Sequence, residues 1–327
     1  ANQHFFLPAL APILYDLGQI FGALVLAPSE GYRIAGFTLP AFGLGTDGLV
    51  YGVILGALLH LLIQVPGLIK YHFKWRPKFD LKDPETRKVL KLMAPRLVSM
   101  FCIQMIFLAQ DNFASRLETG SVTALTYGWC IMQVPQTLLG TSIATAILPT
   151  LSELFSSERF DALKLKIERA GQIMLVLTIP VAIIAGVILY PAIKVFLGLD
   201  ALETLRVVDV SRLFLIGIVG HSIVELFVRS FYAMQKPRYP LIGAVLTLIL
   251  FIVFGIVFSP AFQAKGIALA NTLAYSIQAV ILLILLNKNL TAKLRLLPAF
   301  IRALISAIVG GALAFVVLSY LPRFANT

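Results

Sequence analysis

Apolar residues in this chain come in long runs, not in the narrow periodic stripes of a soluble domain, and charged residues gather in short clusters between the runs. Nine runs stand out: Phe5 to Ala27, Leu49 to Ile69, Val89 to Phe113, Ser121 to Leu148, Ala170 to Leu197, Val207 to Ala233, Tyr239 to Phe258, Gly266 to Leu286 and Phe300 to Leu321. Each holds about 20 residues or more, which at about 1.5 Å per residue crosses a hydrocarbon core of about 30 Å. The fourth lies within a stretch from Thr119 to Ser152 that has no Asp, Glu, Lys or Arg. It is not uniformly greasy. Thr123, Thr126, Tyr127, Gln133, Gln136, Thr137, Thr141, Ser142 and Thr145 punctuate it, with Pro135 at its middle and Pro149 near its end. Hydroxyls, amides and proline inside a span predict a helix kinked at Pro135, one face of which meets protein or water. Membrane barrel strands, with about ten residues of strict alternation, have no counterpart here.

The pattern therefore predicts an all-α polytopic membrane protein of nine transmembrane helices, and composition agrees: 59% hydrophobic and 13% charged residues, with a mean hydropathy of +0.90. A net charge of +11 raises the question of nucleic acid. The distribution of the basic residues answers it. Of the 27 Lys and Arg, 19 fall on alternate loops and the span ends beside them (70–91, 151–170, 229–240 and 287–302) and 6 on the opposite loops and span ends, with Arg96 and Arg212 deeper inside spans. By the positive-inside rule the rich loops are expected to be cytoplasmic, so lipids and not nucleic acid are the expected surroundings. Cys102 and Cys130 both lie within spans, where neither a disulfide framework nor a zinc site is expected. No signal peptide is recognisable, and a chain opening at Ala1 reads as a fragment.

Residues 70–88, dense in charge and carrying Pro77 and Pro84, read as a cytoplasmic linker between residues 1–69 and a six-helix lobe at 89–287, with one further helix at 299–321. Leu151, Leu154, Phe155, Phe160, Leu163 and Ile167 recur near helical spacing among charges, predicting an amphipathic helix over about 151–169. The segment from Gly48 resembles that from Gly266 in its small-residue spacing, as parallel repeats would, though two apolar helices also match by chance.

Ionisable groups at membrane depth are costly and mark candidate sites. Asp16, Arg96, Asp111, Asp209 and Arg212 fall within spans, as do His221, Glu225 and Arg229, which recur every four residues and can pair along one helix face. Arg96 has two readings: a side chain that snorkels to the basic surface, or a cation that holds a phosphate. Asp111, between Gln110 and Asn112, suits a cation or a proton, or simple solvation. No catalytic motif is present: H-E-x-x-H, G-x-S-x-G, a P-loop and D-x-D are all missing, and His60 sits among Leu residues as a core histidine would. A transporter is expected, not an enzyme.

Several stretches together resemble the MurJ (MviN) family of lipid II flippases, within the multidrug/oligosaccharidyl-lipid/polysaccharide exporter superfamily. They are Phe5-Phe-Leu-Pro-Ala-Leu-Ala-Pro, Leu58-Leu-His-Leu-Leu-Ile-Gln-Val-Pro, Leu92-Met-Ala-Pro, Gly120-Ser-Val-Thr-Ala-Leu, Gln133-Val-Pro, Leu148-Pro-Thr-Leu-Ser-Glu and Arg229-Ser-Phe-Tyr-Ala. The resemblance implies a two-lobe exporter fold with the first lobe truncated, the nine spans matching the fifth to thirteenth of fourteen helices. It also implies alternating access in a bacterial cytoplasmic membrane. The charged head group of an undecaprenyl-pyrophosphate-linked peptidoglycan precursor crosses a central cavity while its tail rides a groove that the last helix here helps form. Arg96, Gln104, Tyr127, Cys130, Gln133, Thr137 and Thr141 are the cavity residues so expected.

Two departures matter. The family often places a cavity arginine in its eighth helix, and counting back from Pro135 that position is Cys130. Some members bind sodium between the seventh, eleventh and twelfth helices; Asp111 and Thr272 match that set, but Tyr239 to Phe258 supplies no Asn or Asp. No cofactor is expected beyond sodium or proton coupling. The alternatives left open are an exporter of another lipid-linked glycan or a drug, and a membrane scaffold for cell-wall synthesis enzymes.

Overall fold

The computed structural model describes residues 6–34, 36–70 and 84–324. It divides into two compact units, Ala1–Asp80 and Leu81–Thr327. The division falls inside the 70–88 linker, of which residues 71–83 lie outside the described ones.

In the first unit α1 (Phe6–Phe21) runs on as a π turn (Gly22–Leu26), and a two-residue hairpin, β1 (Arg33–Ile34) with β2 (Phe37–Thr38), leads to α2 (Gly45–Leu62) and the short α3 (Val65–Lys70). The helices are antiparallel and pack backbone to backbone: Gly18 faces Gly56, Gly22 faces Gly52, and Gly48 faces Leu26 and Ala27. In lipid, where apolar side chains gain little by leaving their surroundings, such close approach is what holds two helices together. A Cβ at Gly52 would sit 2.6 Å from the Gly22 Cα. Gly52→Val is accordingly expected to splay the pair; cysteines replacing Tyr15 and His60, whose rings meet across the two helices at 6.5 Å, should then crosslink less than half as fast as without the valine, and an unchanged rate would refute the contact. After α1 the chain folds back, so that the amides of Phe42, Leu44 and Gly45 take the carbonyls of Val25, Leu26 and Ala27. Helix-end carbonyls are thereby satisfied internally, as lipid demands.

The second unit is a helical bundle. It comprises α4 (Pro84–Ala114), α5 (Ser121–Pro135), a π turn (Gln136–Thr141), α6 (Ser142–Ser156), α7 (Phe160–Leu197), α8 (Ala201–Ala233), α9 (Arg238–Asn289) and α10 (Leu297–Phe324). Pro135 has no N–H to give the preceding turn, and the residues after it take the wider π spacing. The 52-residue α9 is two arms: Gln263 is non-helical (φ 53, ψ −136), and Gly243 lies against Gln278 and Leu282, so the arms run antiparallel. Among the described residues seven helices are long and apolar enough to span a membrane, α9 counting once; its two arms and the shorter Leu10–Leu26 complete the nine runs of the sequence.

Helix α8 is the axis. Of its most apolar window 72% is buried, against 17–28% in the other long helices, and α5, α6, α7 and α9 all pack on it. Asp200 caps its start, its carboxylate accepting from the Glu203 amide at 2.7 Å, directly after Gly198 ends α7 in the left-handed region (φ 61). Phe214, Phe227 and Phe231 are fully buried along it and belong to two apolar clusters.

One expectation fails. Residues 151–169 do not form a single amphipathic helix: α6 ends at Ser156, Glu158 turns left-handed (φ 55), and α7 begins at Phe160. The apolar residues on the two sides of the turn converge instead, with Leu151, Leu163 and Ile167 wholly buried in one cluster. Two helix ends that meet over a shared core reproduce the periodicity of one helix lying on a surface.

Candidate substrate-facing surface

The polar residues of α5 occupy one face. At about 100° per residue, positions 126, 130, 133 and 137 fall within an arc of roughly 60°. Thr126, Cys130, Gln133 and Thr137 are all exposed there, while the opposite positions Ala124, Leu125, Gly128 and Met132 are buried against the bundle. Gly128 brings α5 close to Val210, Ser211 and Phe214 of α8, and Gly140 brings the π turn against Ser222. The hydroxyls are tied to their own helix: Thr126 donates to the Val122 carbonyl, Ser142 to that of Thr137, and Thr145 to that of Thr141. Their oxygens stay open as acceptors. Tyr127 and Thr141 are half-buried, and Gln136 Nε2 lies 3.4 Å from Thr141 Oγ1.

Beside this face, α4 contributes a second. Arg96, Met100, Gln104 and Asp111 are exposed, within about 80° of one another around the helix. The two helices meet where Phe107 packs edge-on against Trp129 at 5.2 Å. Arg96 does not merely reach for a surface: its Cζ stands 5.7 Å from the ring centroid of Tyr232, near the end of α8, where Glu225 and Arg229 form an ion pair at 3.0 Å. The group carries two guanidiniums and one carboxylate, a net positive patch at the end of the bundle bearing the basic loops. Tyr232 is not legible from spacing, because it lies on another helix from Arg96.

His221 corrects the sequence expectation. Glu225 pairs with Arg229, but His221 turns away from both: its Nε2 lies 3.0 Å from Asn271 Oδ1, its ring stacks on Tyr275 at 3.8 Å, and Trp129 meets it edge-on at 5.5 Å. A buried imidazole takes the partner that fills its cavity, here an amide on the second arm of α9, over a carboxylate four residues along that is half exposed. His60 rests edge-on to Tyr15 at 6.5 Å. Asp111 and Thr272 face different neighbours. Thr272 is buried against Gly217 and donates to the Leu213 carbonyl at 2.7 Å, whereas Asp111 is exposed on α4, which meets the first arm of α9 through Phe113 and Phe251. Among the described residues no group of three or more His, Cys, Asp or Glu is gathered for a metal ion.

A polar helix face and a cationic corner thus stand out on an otherwise apolar bundle. The family model described as Lipid II flippase MurJ matches residues 1–326. The chain belongs to the lipid II flippase MurJ family. Among curated members, the Lipid II flippase MurJ of Burkholderia cenocepacia is 27% identical over 297 residues, covering 88% of this chain and 55% of that protein. The Probable lipid II flippase MurJ of Bdellovibrio bacteriovorus is 26% identical over 288 residues, covering 87% and 53%. The chain thus spans about half the length of these MurJ relatives. In fold it is similar to a solved Lipid II flippase MurJ in an inward closed conformation, with a TM-score of 0.68 at 21% identity over 98% of this chain and 68% of that one. The Vibrio cholerae MATE transporter VcmN in the bent form is similar at a TM-score of 0.59 and 15% identity, covering 94% of this chain and 65% of that one. MurJ membership and the helices described make this a multi-pass membrane protein.

Proposed function

We propose that this chain forms part of a flippase that carries lipid II from the cytoplasmic to the outer leaflet by alternating access. The observation that carries the reading is the polar face of α5 beside Arg96 of α4, in a chain matched by the MurJ family model from end to end. A pyrophosphate-linked glycan needs a cation for its phosphates and hydrogen-bonding groups for its sugars. Arg96 supplies the first, steadied against Tyr232, and Thr126, Gln133, Thr137 and Thr141 supply the second. Loops 70–91, 151–170, 229–240 and 287–302 then face the cytoplasm, where the precursor is made, and peptidoglycan synthesis enzymes are the partners that would receive it outside. Complementation tests this: the full-length gene should restore growth to a strain depleted of its own lipid II flippase. No rescue despite good membrane expression would sink the reading.

Cys130 favours a second reading, an exporter of a related lipid-linked glycan, since an uncharged side chain there leaves the surface one cation poorer. Because Cys130 is exposed on the polar face, Cys130→Arg is expected to insert without loss of stability. On the flippase reading it raises the transport rate of the pyrophosphate-linked precursor about two- to tenfold in a leaflet-accessibility assay, a gain of up to about 1.4 kcal/mol in barrier lowering. A fall in rate would support the related exporter.

A further inference from the structure

The ion pair of Glu225 with Arg229 lies on the face of α8 turned toward the proposed path. Ser222, Glu225, Arg229 and Tyr232 fall within about 80° around the helix. Ser222 meets the π turn at Gly140, and Tyr232 meets Arg96 of α4. The pair therefore stands between the polar face of α5 and the guanidinium that takes a phosphate. Arg229 lies about 4.5 Å along the axis from Tyr232, and the Tyr232 ring stands in the fields of Arg96, Glu225 and Arg229 together.

The pair is held through one nitrogen, Nη1, on one oxygen, Oε2, at 3.0 Å, and not through the two parallel bonds that a guanidinium and a carboxylate can share. The side chain of Glu225 is 36% exposed and that of Arg229 19%. The carboxylate thus has water to turn to if it gives up its partner. The guanidinium, more deeply set within a span, needs another anion in its place.

We propose that Glu225 stands in for a second phosphate: it holds Arg229 while the path is empty and yields it to a pyrophosphate whose first phosphate is on Arg96. The site then selects pyrophosphate-linked over monophosphate-linked lipids. This inference rests on the transport reading and adds to it how the phosphates are counted. Exchange at Arg229 replaces one anion by another, so it gives little by itself. A monophosphate held by Arg96 has no second anionic group to offer. A pyrophosphate keeps its first contact and adds a second charge-assisted one while Glu225 turns into water. Without the carboxylate, Arg229 would be an open cation for any phosphate; Glu225 supplies selectivity by competing with the wrong ligand.

Binding of farnesyl pyrophosphate and farnesyl phosphate to the purified full-length protein in mild detergent tests it. The pyrophosphate is expected to bind about tenfold more tightly or better. Glu225→Gln should strengthen the monophosphate and shrink that preference to less than about threefold. Arg229→Gln should weaken the pyrophosphate to the level of the monophosphate. Glu225→Gln combined with Arg229→Gln leaves no uncompensated charge, so it keeps the test open if Arg229→Gln does not fold, and it should show the same loss. Arg206→Gln, which removes an ion pair with Glu118 elsewhere, should change neither probe. Equal binding of the two probes by the parent, binding of neither, or an unchanged preference in Glu225→Gln overturns the proposal. Arg96→Gln separates this failure from that of the transport reading. If it weakens both probes while Glu225→Gln alters nothing, only the role of Glu225 falls; if it too alters nothing, the phosphate path falls with it.

Discussion

Arg96→Ala is expected to abolish rescue of a flippase-depleted strain while leaving the protein folded and in the membrane. Arg96 is exposed and sits one residue after Pro95, within the second turn of the apolar part of α4; its contact with the bundle is the ring of Tyr232. Removing it costs little packing, since an exposed cation–π contact is worth about 0.5–1 kcal/mol. Losing its hydrogen bonds to a phosphate costs more: charge-assisted bonds are worth about 1.5–3 kcal/mol each, so two of them correspond to a loss of at least about a hundredfold in binding. Arg96→Lys keeps the charge but not the planar fork and should fall between the two. The measurement is growth on depletion together with membrane abundance and melting temperature. Full growth with Arg96→Ala at normal abundance would remove Arg96 from the path.

Phe214→Ala should cost about 3–5 kcal/mol of stability, the usual range for emptying a large aromatic site in a close-packed core. Phe214 has no exposed surface, packs against Trp129 at 5.7 Å and lies beneath Gly128, so it fills the space by which α5 approaches α8. Trp129 also borders His221, and loss of the ring should loosen that side as well. Thermal unfolding in detergent, compared with the exposed neighbour Ile216→Ala, checks this. A difference below about 1 kcal/mol between the two variants would mean that the α5–α8 contact is not held by this side chain.

The helices are readable because hydrocarbon length is a coarse and demanding filter: nine apolar runs correspond to the described spans, and even Pro135 marks its own disturbance. Two turns are not readable. Glu158 and Gln263 take positive φ without being glycine, and neither residue type announces such a turn. At Glu158 the apolar spacing continues across the break, which makes two helix ends look like one helix. The face of α5 can be drawn from the spacing of Thr126, Cys130, Gln133 and Thr137 alone, since helix geometry decides which residues share a side. Partners across helices cannot. Local spacing matches His221 to Glu225, four residues away, because it sees one helix, whereas Asn271 lies fifty residues on. Arg212 is visible as a charge within a span, but the Gly186 carbonyl of α7 that takes its Nε is not.

The joint at Gln263 has a mechanical consequence. One non-helical residue separates the arms of α9, and Gly266 is pressed so closely on the Phe258 carbonyl that a methyl there would collide with it. Such a joint has no slack. The first arm meets α4 where Phe251 packs on Phe113, and the second meets the central helix where Asn271 holds His221, so enlarging Gly266 is expected to disturb both contacts together. The hairpin thus joins the α4 side of the bundle to its axis through a single crowded turn.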